Sequence, residues 1–194
     1  MTPTISKAIF VVLVIGWYVI RYKYARRSRR EKIVWSARGP VEIALLLISL
    51  AGLGLVPLVY VATAIPRFAT YSFHPLSAWL GLFFAIAALG MFHLTHRALG
   101  RNWSISLDVR ENHELVMEGI YRRVRHPMYS AFWLWAVAQA LLLPNWVAGF
   151  SGMIGFGILF FGRIAREERL MLETFGDPYR EYMSRTYRIV PMIF

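Results

Sequence analysis

Apolar residues fall in five blocks along this chain, roughly 5–20, 41–65, 76–94, 129–143 and 146–162, with polar, basic stretches between them. Within a block the apolar residues are nearly continuous. They do not recur every three or four positions as on a half-buried soluble helix. Crossing a bilayer takes about 20 apolar residues. The second and third blocks reach that length comfortably, although Gly52, Gly54 and Pro57 interrupt the second. The fourth and fifth are short and joined only by Pro144-Asn145. They predict a tight helical hairpin in which neighbouring helices satisfy what lipid cannot. The pattern predicts an all-α membrane protein with one integral-membrane domain over 1–194. It has about five transmembrane helices, the last two a short helical hairpin.

The basic residues set an orientation. Segment 21–38 holds eight Lys and Arg, segment 97–128 holds six and segment 163–194 holds six. Five spans with the N-terminus outside put all three segments on one face, which the positive-inside bias makes cytoplasmic. That asymmetry accounts for the net charge of +11 without a nucleic-acid partner. A composition 57% hydrophobic and 17% charged is too apolar for a typical soluble domain. The first block lacks the basic start and small-residue cleavage site of a signal peptide and reads as a retained span. Cysteine is absent, which excludes disulfides, thiolate nucleophiles and cysteine-ligated metal. The Asn102-Trp103-Ser104 sequon falls on the cytoplasmic side and reads as coincidence.

Two polar segments are candidates for chemistry, 99–129 and 163–194. In the first, Ser104 to Val109 alternates weakly like a strand, Glu111-Asn112-His113 is a turn signal, and Leu115 to Tyr121 reads as extended chain with a bend at Gly119. It ends at Arg125-His126-Pro127-Met128-Tyr129. Pro127 can begin a helix without wasting a donor. The first helical turn would then offer free N–H groups and a positive dipole end to an anionic ligand group, with Arg125 and His126 beside it. The plain alternative is a helix start whose basic residues face lipid headgroups. In the second segment, Arg163 and Glu167 share a helix face if the fifth span continues. Arg163 directly follows an all-apolar run, where ionisable residues tend to line cavities. A solvated ion pair is the simpler origin of that spacing. His93 and His96 read as an interfacial pair and not as metal ligands, since no acidic residue is near them in sequence. His74-Pro75 marks a helix start. The glycines at 149, 152, 155, 157 and 162 suit close helix packing.

The run Leu115-Val116, Gly119-Ile120-Tyr121, Arg125-His126-Pro127 and Tyr129 resembles the isoprenylcysteine carboxyl methyltransferases. So does the tail Arg163, Glu167-Glu168, Phe175-Gly176-Asp177, Tyr179 and Tyr182, and the Leu99-Gly100, Asn102-Trp103-Ser104 run is similar. The five-span layout with a short terminal hairpin is similar to small prokaryotic members. The resemblance implies methyl transfer from S-adenosyl-L-methionine to a carboxylate at the cytoplasmic membrane face. An ordered cytoplasmic loop and the helical C-terminal tail would form the cofactor site. It implies cofactor contacts at His113, Glu114, Leu115, Val116, Gly119, Tyr121, His126, Pro127, Tyr129 and Glu167. It implies that Arg163 meets the substrate carboxylate, and that Arg163 and Glu167 are the catalytic pair, with no metal.

The residues agree with that chemistry. A carboxylate acceptor is ionised at neutral pH and needs no general base. The protein's task is then to align two substrates and exclude water. The acceptor is expected to be a lipophilic carboxylate entering from the bilayer, with membrane lipids as surroundings and no nucleic acid. The localisation expected is the cell (inner) membrane. A methyltransferase for a phospholipid amine or other small lipophile is one competing reading, and a non-enzymatic membrane scaffold is another.

Overall fold

The computed structural model describes residues 1–28, 33–36, 39–100, 108–110 and 115–190. Helix α1 spans Pro3–Ser28. Helix α2 spans Pro40–Leu50, and a π-helical turn over Ala51–Leu55 leads without a break into α3, Val56–Thr63. Helix α4 spans Pro75–Leu99, α5 Pro127–Leu142, α6 Trp146–Phe175 and α7 Asp177–Ser184. Pro at the first helical position starts α2, α4 and α5, since its missing N–H would have no partner there. Strands β1, Ile33–Ser36, and β2, Asp108–Arg110, pair antiparallel with Trp35 opposite Val109 and a bulge between Ile33 and Trp35. Among the described residues this two-stranded ribbon is the sole sheet.

Among the described residues four helical stretches are long and apolar enough to cross a membrane: Pro3–Arg26, Pro40–Thr63, Pro75–Leu99 and Trp146–Phe175. Helix α5 has 16 residues, about 24 Å at 1.5 Å per residue, and is too short to count with them. The fifth apolar block does not end its helix at 162. Helix α6 runs 30 residues to Phe175, about 45 Å, against a hydrocarbon core of about 30 Å. Its last third therefore extends beyond an apolar layer and carries Arg163, Glu167 and Glu168 with it.

The second block is not interrupted either. In the π-turn the Val56 N–H donates to the Ala51 carbonyl. The next donor along would be at Pro57, which has none. The Gly52 carbonyl thus loses its intrahelical partners and turns to the neighbouring helices. It accepts from Gln139 Nε2 at 3.0 Å and from Ser151 Oγ at 2.8 Å. Gln139 is fully buried and also donates to the Ala148 carbonyl at 2.7 Å. The backbones meet closely here. A Cβ on Gly52 would run into the Ser151 carbonyl, and one on Gly155 would lie 2.7 Å from the Ile48 carbonyl.

The turn between α5 and α6 closes one end of the bundle. Asn145 caps α6 by accepting from Val147 N at 3.1 Å and Ala148 N at 2.9 Å. Its amide donates to Pro66 O at 2.7 Å and Thr70 Oγ1 at 3.1 Å. Ser6 Oγ donates to Leu142 O at 2.6 Å and ties α1 to the same end. The buried core between these helices is aromatic and aliphatic, with Phe10, Trp135, Phe156 and Phe160 at its centre.

Candidate functional site

The opposite end of the bundle, where α5 begins and α6 leaves the apolar layer, holds the charged cluster. His126 immediately precedes α5, and α6 brings Arg163, Glu167 and Glu168 beside it. One residue apart on a helix is a rotation of about 100°, so Glu167 and Glu168 face different neighbours. Glu167 accepts from the Tyr129 hydroxyl, lies 3.6 Å from His126 Nδ1 and lies 3.5 Å from Arg163 Nε. Glu168 accepts from Arg125 Nη2 at 3.0 Å and from Arg188 Nη2 at 2.9 Å, and sits 3.6 Å from His126 Nε2. At 3.6 Å the imidazole contacts are ion pairs longer than a hydrogen bond. Burial alone would favour neutral His126, but the two carboxylates outweigh it and raise its pKa above the usual histidine value.

The chain after α7 runs back across the start of α5. Val124 and Tyr187 form a parallel bridge. Arg125 N donates to Tyr187 O at 2.7 Å, His126 N to Arg188 O at 2.9 Å and Ser130 Oγ to Ile189 O at 2.5 Å. Arg125 Nη1 donates to the Thr186 carbonyl as well. Several backbone donors at this helix start, those of Arg125, His126, Tyr129 and Ser130, are therefore taken. Tyr129 N and Ser130 N donate to His126 O at 3.0 and 3.2 Å.

A cavity of about 710 Å³ opens against this cluster. Its polar end is lined by Tyr121, Arg125, His126, Tyr129, Arg163 and Glu167. Its other arm runs between α1, α2, the π-turn and α5 past Trp17, Leu46, Leu50, Leu53, Leu55 and Trp135. The His126 ring stacks on Tyr129, centroids 5.5 Å apart and planes 20° from parallel. The buried Tyr182 hydroxyl donates to Tyr121 O at 2.7 Å and holds α7 over this end.

Of the residues singled out from sequence, Leu115, Val116, Tyr121, His126, Tyr129, Arg163 and Glu167 line this one cavity. Gly119, with φ +61°, starts the 3₁₀ turn Gly119–Arg122, and neither it nor Pro127 reaches the cavity wall. His113 and Glu114 lie outside the described residues, as do the 102–104 sequon, the turn at 111–113 and most of the expected strand 104–109. His96 Nδ1 is 2.9 Å from Phe92 O, and its ring packs on Tyr24. Among the described residues no group of three or more His, Asp or Glu could hold a metal ion.

Sequence reasoning overlooked Glu42. It is 2% exposed, and its Oε1 lies 3.0 Å from Arg163 Nη1. The signal was present: Glu42 is the one charged residue inside the second apolar block, and such residues face partners or cavities. Arg188 and the 187–189 backbone were overlooked as well, and nothing local in the sequence marks them.

Helices of this apolarity around a cavity with one ionic and one hydrocarbon end define a membrane-embedded protein with an amphiphilic binding site. Residues 79–173 match the model of the isoprenylcysteine carboxyl methyltransferase (ICMT) family. It is 34% identical over 96 residues to protein-S-isoprenylcysteine O-methyltransferase B of Arabidopsis thaliana, covering 48% of this chain and 49% of the relative. It is 36% identical over 83 residues to protein-S-isoprenylcysteine O-methyltransferase of Schizosaccharomyces pombe, covering 43% and 35%. These alignments thus span half or less of the relatives' length. The fold is similar to the solved structure of the eukaryotic intramembrane Ras methyltransferase ICMT, with a TM-score of 0.59 at 20% identity over all of this chain and 69% of that one.

Proposed function

We propose that the protein is a methyltransferase that uses S-adenosylmethionine to methylate the carboxylate of a lipophilic, prenylcysteine-like acceptor. The reaction would take place at the cytoplasmic face of the cell membrane. The observation that carries this reading is the continuity of one cavity from the His126–Glu167 cluster to the arm lined by Trp17, Leu50 and Leu55. A water-soluble cofactor and a hydrocarbon-tailed acceptor need such a space, and about 710 Å³ lies within the usual range for ligand sites. The relatives' names point to the same chemistry.

The residues present suit the cofactor, which supplies a methyl group activated by a positively charged sulfur. Glu167 offers a carboxylate to its cationic groups. Tyr121, Tyr129 and the His126 ring offer aromatic faces to a planar base or a cation. Leu115 and Val116 add apolar wall. Arg163 would hold the acceptor carboxylate in its planar fork and turn one oxygen towards the Glu167 end. The carboxylate arrives ionised, so no side chain has to remove a proton. The surrounding aromatic and aliphatic walls exclude water while the two ligands are held together. In this reading α5 makes a short fourth of five crossings, the N-terminus lies outside and the cluster faces the cytoplasm.

The test is methyl transfer by detergent-purified protein, with radiolabelled S-adenosylmethionine and an N-acetylated S-prenyl cysteine as acceptor. Base-labile label in the acceptor is expected. Label in phosphatidylethanolamine instead would establish the phospholipid-amine reading. No transfer, together with no binding of S-adenosylhomocysteine by calorimetry, would leave the non-enzymatic scaffold.

A further inference from the structure

Arg163 and Glu42 are both nearly inaccessible, at 7% and 2% exposed, and come from different helices, α6 and α2. Two carboxylates lie beside the guanidinium. Glu42 Oε1 meets Nη1 at 3.0 Å, and Glu167 Oε2 meets Nε at 3.5 Å. Neither contact has hydrogen-bond geometry, so it is carboxylate charge placed beside two different nitrogens that favours one setting of the plane. Arg166, half exposed, approaches the other Glu42 oxygen at 4.0 Å.

A tie between α2 and α6 is an unsatisfactory account of this pair. Taking two charges out of water offsets most of their attraction, so a buried ion pair is a poor device for stability alone. The two helices are already joined at Gly52, Gly155 and Ser151, where backbone meets backbone and Gln139 closes the hydrogen bonds. What the Glu42 contact adds is a fixed orientation for an arginine that lines the cavity.

We propose that Glu42 is a positioning residue for the acceptor: it holds the Arg163 fork so that a carboxylate entering along the apolar arm meets it in one orientation. The inference rests on the reading of Arg163 given above. Glu42 does not line the cavity, so it acts on the acceptor only through Arg163 and has no contact with the cofactor end.

The experiment compares Glu42→Gln, Glu42→Ala and Arg163→Ala in full-length, detergent-purified protein. It uses an N-acetylated S-prenyl cysteine as acceptor and S-adenosylhomocysteine as the binding probe. Glu42→Gln should raise the acceptor KM about tenfold and Glu42→Ala further, because the amide keeps an oxygen acceptor that alanine lacks. Affinity for S-adenosylhomocysteine should stay within about twofold of wild type in both. In a double variant with Arg163→Ala, Glu42→Gln should add nothing, since the group it positions has gone. If Arg163→Ala raises the KM and both Glu42 variants leave it unchanged, the inference is overturned and the reading of Arg163 stands. If Arg163→Ala also keeps a normal KM, both fall. If Glu42→Gln lowers cofactor affinity and thermal stability in step with the KM, the pair is a structural tie and the inference is overturned.

Discussion

Glu167 and Glu168 are neighbours in sequence and divided by one helical step, which is why the chain alone could not assign their tasks. Glu167 lines the cavity, whereas Glu168 is surrounded by Arg125, Arg188 and His126. Removing each should therefore fail differently. Glu167→Ala should weaken S-adenosylhomocysteine binding at least tenfold by calorimetry with little change in thermal stability. Glu168→Ala should lower stability by roughly 3–5 kcal/mol, the usual penalty for stranding buried charges, and its melting curve should move before any binding isotherm does. The His126 ring gives a pH test. Its folded-state pKa is raised above the ordinary value, so the stability gained from its charge is complete below that value. It is lost as pH rises through the folded pKa. The melting-temperature difference between wild type and His126→Gln should accordingly shrink as pH is taken from 6 to 9. A difference that stays flat would detach His126 from the two carboxylates. His126 and Glu167 were legible because their motif is local. Glu42 was not given weight because its partner lies 121 positions away.

At the scale of elements, the apolar blocks located the helix starts to within a few residues but not what happens inside and after them. Gly52, Gly54 and Pro57 read as an interruption. The chain instead inserts one wider turn and hands the displaced Gly52 carbonyl to Gln139 and Ser151. Such an outcome depends on a donor 87 residues away, which no local pattern reveals. Gln139→Leu leaves that carbonyl with the serine alone and should cost about 1–3 kcal/mol, as for other buried polar groups deprived of a partner. Thermal unfolding in detergent measures it. Because the π-turn residues Leu53 and Leu55 wall the apolar arm, the same variant should also change which acceptor chain lengths are used best. Unchanged stability would mean that the π-turn stands without its pin. The fifth apolar block ends at 162 because apolar composition ends there, and backbone hydrogen bonding carries α6 on to Phe175, which puts Arg163 and Glu167 on one helix face.

For the molecule as a whole, the charge asymmetry and the fold give one testable orientation. Thr70 lies at the closed end beside Asn145, and Ser184 ends α7 at the cavity end. Both are exposed, and the chain has no cysteine of its own. A cysteine replacing Ser184 should react with a membrane-impermeant maleimide only from the cytoplasmic side, and one replacing Thr70 only from outside. Reversed labelling would place the cavity end on the wrong face for a cytosolic cofactor. The packing of residues 187–189 across the start of α5 also has a consequence for how the molecule is made. Every helix around the cavity precedes that stretch in the chain, and synthesis runs from the N-terminus. A ribosome-bound chain that has already inserted α1 to α6 therefore still lacks the strap that sets Arg125 and His126 in place. Competence to bind therefore waits until residues 187–189 have left the ribosome and packed across α5.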